Sequence, residues 1–236
     1  MMLSKPDVYS VVAEDNGRII GSNFLWEDTI AGIGPITVDP SVQNAAVGRR
    51  LMEDAMERSR QQAFAGVRLV QAAFHNRSLS LYAKLGFAVR EPLACMQGNV
   101  IGERIPGHEV RPVTEKDVDA CNALCRRVHG HERSVALVDG IGQGTAMLVV
   151  RNGRITAYTS MLGFFGYAVA ETTGDLQAMI AAAPGFAGPG ILVPTRNAAL
   201  FRWCLEKNLR VIQPLTLMSV GLYNEPAGAF LPSILY

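Results

Sequence analysis

Gly34-Pro35-Ile36-Thr37-Val38-Asp39-Pro40-Ser41-Val42-Gln43-Asn44-Ala45-Ala46-Val47-Gly48-Arg49-Arg50-Leu51-Met52 is the stretch whose reading decides the fold. A β-branched run, Ile36-Thr37-Val38, predicts a strand end, and Asp39-Pro40 predicts a turn. From Val47 the apolar positions Val47, Leu51, Met52, Ala55, Met56 and Ala63 recur at helical spacing. A strand, a tight loop and a helix N-terminus make an anion site, because the first amides of a helix lack internal acceptors. The small residues Ala45, Ala46 and Gly48 let an anion approach those amides, and Arg49 and Arg50 add positive charge.

The pattern Val-x-Pro-x-x-Gln-x-x-x-x-Gly, running from Val38 to Gly48, resembles the acyl-CoA pyrophosphate loop of the GNAT N-acetyltransferase superfamily. The resemblance implies that Gln43, Asn44, Ala45, Ala46, Val47, Gly48 and Arg49 hold acetyl-CoA. It also implies that Ile36, Thr37 and Val38 face the thioester and supply a backbone N–H to the oxyanion. Ala46 stands where the family's usual form has its first glycine, and its methyl group is expected to weaken the phosphate cradle without abolishing it, because alanine can still adopt helical angles.

A second segment, Asn76 to Phe87, resembles the family's Asn-x-x-x-x-x-Tyr-x-Lys-Leu-Gly-Phe motif. It implies Tyr82 as the proton donor to the leaving thiolate. A phenol of ordinary pKa near 10 is protonated at neutral pH and needs no tuning for that task. Read as a residue, Tyr82 is equally a core aromatic beside Leu81 and Leu85, and Asn76 is either a pantetheine ligand or a helix cap. At the position where the family often carries a glutamate base this chain has Gly32, so no base is assigned. Glu27, Asp28 and His75 are the nearest ionisable residues, and each also reads as a surface or strand-end residue.

The rest of the N-terminal half fits the same plan. Strands are expected over 7–14 and 18–26, joined at Asn16-Gly17, a dipeptide suited to the left-handed angles of a hairpin turn. A third strand over 29–38 contains Gly32, Gly34 and Pro35 and should bulge. In the family such a bulge opens a gap for the pantetheine arm. A helix over 47–64 and a buried strand over 67–74 should follow.

The C-terminal half repeats this faintly. Asn152-Gly153-Arg154-Ile155 echoes Asn16-Gly17-Arg18-Ile19, and Asn197 through Val211 echoes Asn76 through Val89. From hairpin Asn to late Lys the copies run 68 and 55 residues, and Ala170 to Asp175 holds no phosphate loop. The second copy also has a strand over 109–113, a helix from Thr114 as N-cap to about His129, and a short helical segment near 132–138. The resemblance is therefore to a tandem GNAT protein of α/β class, each copy a mixed, strongly twisted sheet flanked by helices. The linker Asn99 to His108 divides a first domain, 1–105, carrying the acyl-CoA loop but not the family's opening strand and helices, from a degenerate second, 106–236.

Composition narrows the function further. In 236 residues, 49% hydrophobic with net charge +1, nothing reads as a nucleic-acid arm. No signal peptide or run long enough to cross a bilayer is visible, so a cytoplasmic protein without a membrane partner is expected. Cys95, Cys121, Cys125 and Cys204 lack metal-ligand spacing and read as buried apolar residues. The paired histidines of His129-Gly130-His131 lack a third ligand, and no metal is expected. Gly140, Gly142 and Gly144 resemble a dinucleotide loop only as a string, and Phe164, Phe165 and Tyr167 read as core or as a contact between copies. The expected function is transfer of an acetyl group from acetyl-CoA to the amine of a small molecule by direct attack. A non-catalytic acyl-CoA-binding or regulatory module is the alternative, and exposed strand edges near the N-terminus leave room for a homodimer.

Overall fold

The computed structural model describes residues 5–42 and 45–235. The chain forms two compact units: the residues up to Arg90 with Leu217–Tyr223 and Leu235, and Glu91–Thr216 with Asn224–Ile234.

In the first unit β1 (Val8–Asp15) and β2 (Arg18–Trp26) form the expected hairpin. Asn16 and Gly17 take φ of 49° and 79°, which match the right-handed strand twist. The expected long third strand is two short ones, β3 (Ala31–Ile33) and β4 (Thr37–Val38), both antiparallel to β2. Between them Gly34, at φ 139°, and a cis Gly34–Pro35 peptide interrupt the ladder. The bulge is thus a full break. A 3-10 turn at Pro40–Val42 leads towards α1 (Val47–Gln61).

The buried stripe of α1 is Val47, Leu51, Met52, Ala55 and Ser59. The helix ends at Gln61, short of the expected 64, and Ala63 is not on its buried face. Ala63 turns left-handed at φ 55°, and Phe64 N–H bonds Ser59 O at 3.2 Å in a Schellman closure. Then β5 (Gly66–Ala72) runs parallel to β3, and α2 (Asn76–Lys84) follows. The end of β12 (Arg210–Gly221) lies beside β5, with Leu222 N–H bonded to Ala65 O at 2.8 Å. Leu25, Ala31, Met52, Val67, Leu69, Tyr82, Phe87 and Met218 form this unit's core.

In the second unit the end of β6 (Ala88–Gln97) pairs antiparallel with β11 (Ile191–Pro194). A five-stranded sheet has the order β13-β10-β9-β8-β7, made of β7 (Glu109–Pro112), β8 (Met147–Arg151), β9 (Arg154–Thr159), β10 (Ala168–Ala170) and β13 (Ala229–Leu231). The β8–β9 hairpin repeats the left-handed pair, Asn152 at 53° and Gly153 at 71°. One core, around Cys121, Leu124, Cys125 and Tyr158, lies with α3 (Val118–His129) and α4 (Ser134–Gly142). The other, around Leu176, Met179, Val193 and Leu200, lies with α5 (Thr173–Ala182) and α6 (Ala198–Glu206). Thr114 caps as expected, forming a box with Asp117 ahead of a 3-10 turn rather than directly ahead of α3. The helical segment expected near 132–138 is α4, whose Gly140 packs against the backbone of Ser160.

The sequence repeat and the compact units are different partitions of the chain. Strand β6, which closes the first copy in sequence, enters the second unit from Glu91 on, and the last part of β12 belongs to the first.

Candidate functional site

β3 and β5 are paired only at Ala31 with Val67 and Gly32 with Arg68. Past that point β3 turns away, held to β2 by Gly34 N–H on Phe24 O at 3.0 Å and by Trp26 Nε1 on Gly34 O at 2.7 Å. β4 pairs only with β2. Asp39 N–H bonds Ile20 O at 2.9 Å, so strand alternation turns the Val38 N–H away from β2, towards the open side. Ile36 has the same parity and Thr37 the opposite one.

The loop ahead of α1 is fixed by Asp39. Its carboxylate accepts from Ser41 N–H at 2.8 Å and Ser41 Oγ at 2.6 Å and pairs with Arg18. The Ser41 bonds, with the Arg18 charge, hold the Asp39 carboxyl below the usual range. Gln43 and Asn44 lie outside the described residues.

Ala45 N–H is already used, donating to Val42 O at 3.0 Å. Ala46 has φ 60° and ψ 11°, so the expectation of helical angles there is corrected: this alanine is left-handed. Its Cβ is crowded by the following carbonyl in that geometry, which is why the position favours glycine. A left-handed residue followed by a right-handed one orients successive amides into one concavity. Among the described residues the N–H groups of Ala46, Val47, Gly48 and Arg49 have no protein acceptor, whereas Arg50 N–H already bonds Ala46 O. The first turn of α1 carries no acidic residue. Arg49 makes only a 3.5 Å exposed pair with Glu53.

At the start of α2, Asn76 is exposed and is the first helical residue, with His75 at the N-cap position. Its counterpart Asn197 caps α6, accepting from Leu200 N–H at 3.1 Å. Tyr82 is 6% exposed, packed edge-on to Phe87 with ring centroids 6.3 Å apart. Burial raises its pKa above 10, against a lowering hydrogen bond from Ser78. Glu27 is paired with Arg58 at 2.7 Å, and Gly32 bears no side chain, so this arrangement contains no evident base.

The second copy's counterpart differs in charge and in space. Thr172 and Asp175 form a capping box at the start of α5, Asp175 N–H donating to Thr172 Oγ1 at 3.2 Å. Asp175 is fully buried, bonded to Arg151 at 2.8 Å and to Thr156 at 2.7 Å, with His108 at 3.5 Å. Its burial alone would raise its pKa, but the bonds from Arg151, Thr172 and Thr156 lower it overall. On one side β10 is paired with β13, Ala168 to Leu231 and Ala170 to Ala229. Gly228 runs so close to Ala170 that a Cβ there would lie 2.3 Å from its carbonyl oxygen.

All four cysteines are free and buried, and burial raises the Cys95 thiol to about 11 and those of Cys121 and Cys204 to about 12. Among the described residues no cluster of His, Cys, Asp and Glu suits a metal ion. No described helix is long and apolar enough to cross a membrane. Gln71 on β5, not singled out from the sequence, is a 6% exposed carboxamide whose Nε2 and Oε1 are both without a hydrogen-bond partner among the described residues. Its signal in the sequence was an amide side chain in a strand whose other polar residue is Arg68.

A bulged strand splayed from its parallel neighbour, followed by a helix whose first amides have no acceptor among the described residues, is the arrangement of the GNAT class of acetyltransferase fold. Residues 6–89 match the Acetyltransferase (GNAT) domain model. Over 93 residues the chain is 31% identical to a protein of Azospirillum brasilense named IAA acetyltransferase, covering 38% of this chain and 61% of the relative. The chain thus spans about three fifths of the curated relative it matches.

A solved structure from Pyrococcus horikoshii, provisionally assigned as an acetyltransferase, superposes with TM-score 0.72 at 15% identity, over 93% of this chain and 78% of that one. A tandem GNAT protein from the clavulanic acid biosynthesis pathway superposes with TM-score 0.53 at 11% identity, over 92% and 84%. The whole chain therefore has the tandem GNAT fold.

Proposed function

We propose that the first copy binds acetyl-CoA and transfers its acetyl group to the amine of a small molecule by direct attack. The observation that carries this reading is the left-handed turn at Ala46 at the positive end of a 15-residue helix, where the amides of residues 46 to 49 have no acceptor among the described residues. Gln43, Asn44 and Arg49 would complete the pyrophosphate cradle, and Asn76 would face the pantetheine arm. The Val38 N–H would stabilise the oxyanion as the uncharged amine adds to the thioester carbonyl. On collapse the C–S bond breaks, and Tyr82 would donate its proton to the departing thiolate. With Gly32 in the base position, the amine would arrive neutral or lose its proton to water. The second copy supports the first without binding acyl-CoA, its helix start being capped by Thr172 and Asp175.

A non-catalytic acyl-CoA-binding module is favoured by one observation, the deep burial of Tyr82 against Phe87 in an arrangement without an evident base. Calorimetry with acetyl-CoA, followed by thiol release across a panel of amines, separates the two readings. Binding with amine-dependent thiol release supports transfer, binding without it supports the module, and no binding rejects both.

A further inference from the structure

We propose that Gln71 is a binding residue for the acyl donor, pairing its carboxamide with an amide of the pantetheine arm inside the splay between β3 and β5. This rests on the acyl-CoA reading above and adds a residue to it.

Gln71 lies three residues past Arg68, the last residue of β5 paired with β3. It therefore stands where the neighbouring strand has already turned away. By strand alternation its side chain shares a face with Val67 and Leu69, which pack in the core with Met52 and Tyr82. That is the face on which α1 and α2 lie, the helices whose first turns bound the candidate site. The residue is 6% exposed, and among the described residues neither polar atom of its side chain has a hydrogen-bond partner.

Buried polar groups in folded proteins are nearly always paired, and an isolated exception calls for an explanation. A carboxamide buried with a donor and an acceptor both unmet is costly, because water has been removed from both. What satisfies it must present an acceptor and a donor side by side. A secondary amide does so, and the pantetheine arm of coenzyme A carries such amides along a narrow, flexible chain of the kind a gap between strands admits. A carboxylate or phosphate offers acceptors only and would leave the carboxamide oxygen unmet.

The test uses the full chain, the variant Gln71→Leu, and coenzyme A beside its nucleotide half lacking the pantetheine arm. Removing a pair of neutral hydrogen bonds should raise the Kd for coenzyme A about tenfold. The Kd for the nucleotide half should stay unchanged, and the ligand-free variant should melt above wild type. Unchanged affinity for coenzyme A, or an equal loss for both ligands, overturns the proposal while leaving the acyl-CoA reading intact. Wild type binding neither ligand overturns both together. Should the leucine variant fail to fold, Gln71→Met, of similar length and without hydrogen-bonding capacity, is read by the same outcomes.

Discussion

Gly32 and Arg68 form the last rung between β3 and β5, and the geometry of the candidate site follows from what each strand does after it. β3 bends away through Gly34 and is tied back to β2 by the indole of Trp26, whose N–H donates to Gly34 O at 2.7 Å. Replacing Trp26 by Phe removes that donor and leaves a part-buried carbonyl unpaired. The expected loss is about 1–2 kcal/mol of stability, read as a lower urea midpoint at unchanged slope. A midpoint identical to wild type would show that the indole bond does not hold the bend.

Alanines in the left-handed region stand at both ends of α1, Ala46 at φ 60° and Ala63 at φ 55°. Glycine relieves the Cβ crowding at each but adds freedom to the unfolded chain, so the net gain should be about 0.5–1 kcal/mol per site. Thermal melts of Ala46→Gly and Ala63→Gly should rise by a few degrees, about additively because the sites are far apart. Only Ala46→Gly should also preserve or tighten acetyl-CoA binding through the cradle. A fall in either melting temperature contradicts the assigned backbone angles.

Tyr82→Phe separates a proton donor from a packing residue. If the phenol protonates the thiolate, turnover with the best amine should fall about a hundredfold while the Kd for acetyl-CoA and the melting temperature stay put. Because burial raises the Tyr82 pKa above 10, no descending limb below about pH 10 should come from its ionisation. Unchanged turnover in the variant removes Tyr82 from the chemistry.

Asp175 offers a stability test with a definite pH sign. Its pKa is lowered in the folded protein, so its contribution is complete above the ordinary carboxylate value near 4. Below that value the unfolded chain takes up the proton first and the contribution is lost as pH falls. Asp175→Asn should cost about 2–4 kcal/mol at pH 7, since Arg151 loses a buried partner. The gap from wild type in urea titrations should narrow by pH 3. A gap independent of pH would mean the cost is not electrostatic.

Calorimetric stoichiometry tests the second copy. One acetyl-CoA per chain is expected, because the α5 start is capped by Thr172 and Asp175 and one edge of β10 is taken by β13. Two equivalents would show that the second copy retains a donor site.

Much of this was legible in the sequence because it is local. The Asn-Gly turns, the apolar stripe of α1, the buried cysteines and the break near Gly34-Pro35 are set by steric preference and periodicity over a few residues, so the elements fell close to expectation. The start of α1 at Val47 agrees with expectation, whereas its C-terminal end and the angles of Ala46 differ for a physical reason. Glycine marks left-handed positions in sequence, and here alanines occupy two of them. Similarly, Asn208 at φ 63° takes the place that Gly86 at φ 94° has in the first copy, which offset the repeat as aligned by its lysines.

By itself the sequence, through nearest-neighbour preferences and its resemblance to a known family, pointed to the class of fold and to the strand–loop–helix order of the first copy. Tertiary structure alone decided which strand completes which unit, since β6 and β12 each divide between the two, and hydrogen-bond ladders between distant strands leave no periodic mark in the chain. It also decided that Gln71 is buried without a hydrogen-bond partner among the described residues and that Asp175 is buried with several. Burial depends on what other segments bring alongside, and no short stretch of sequence contains that information.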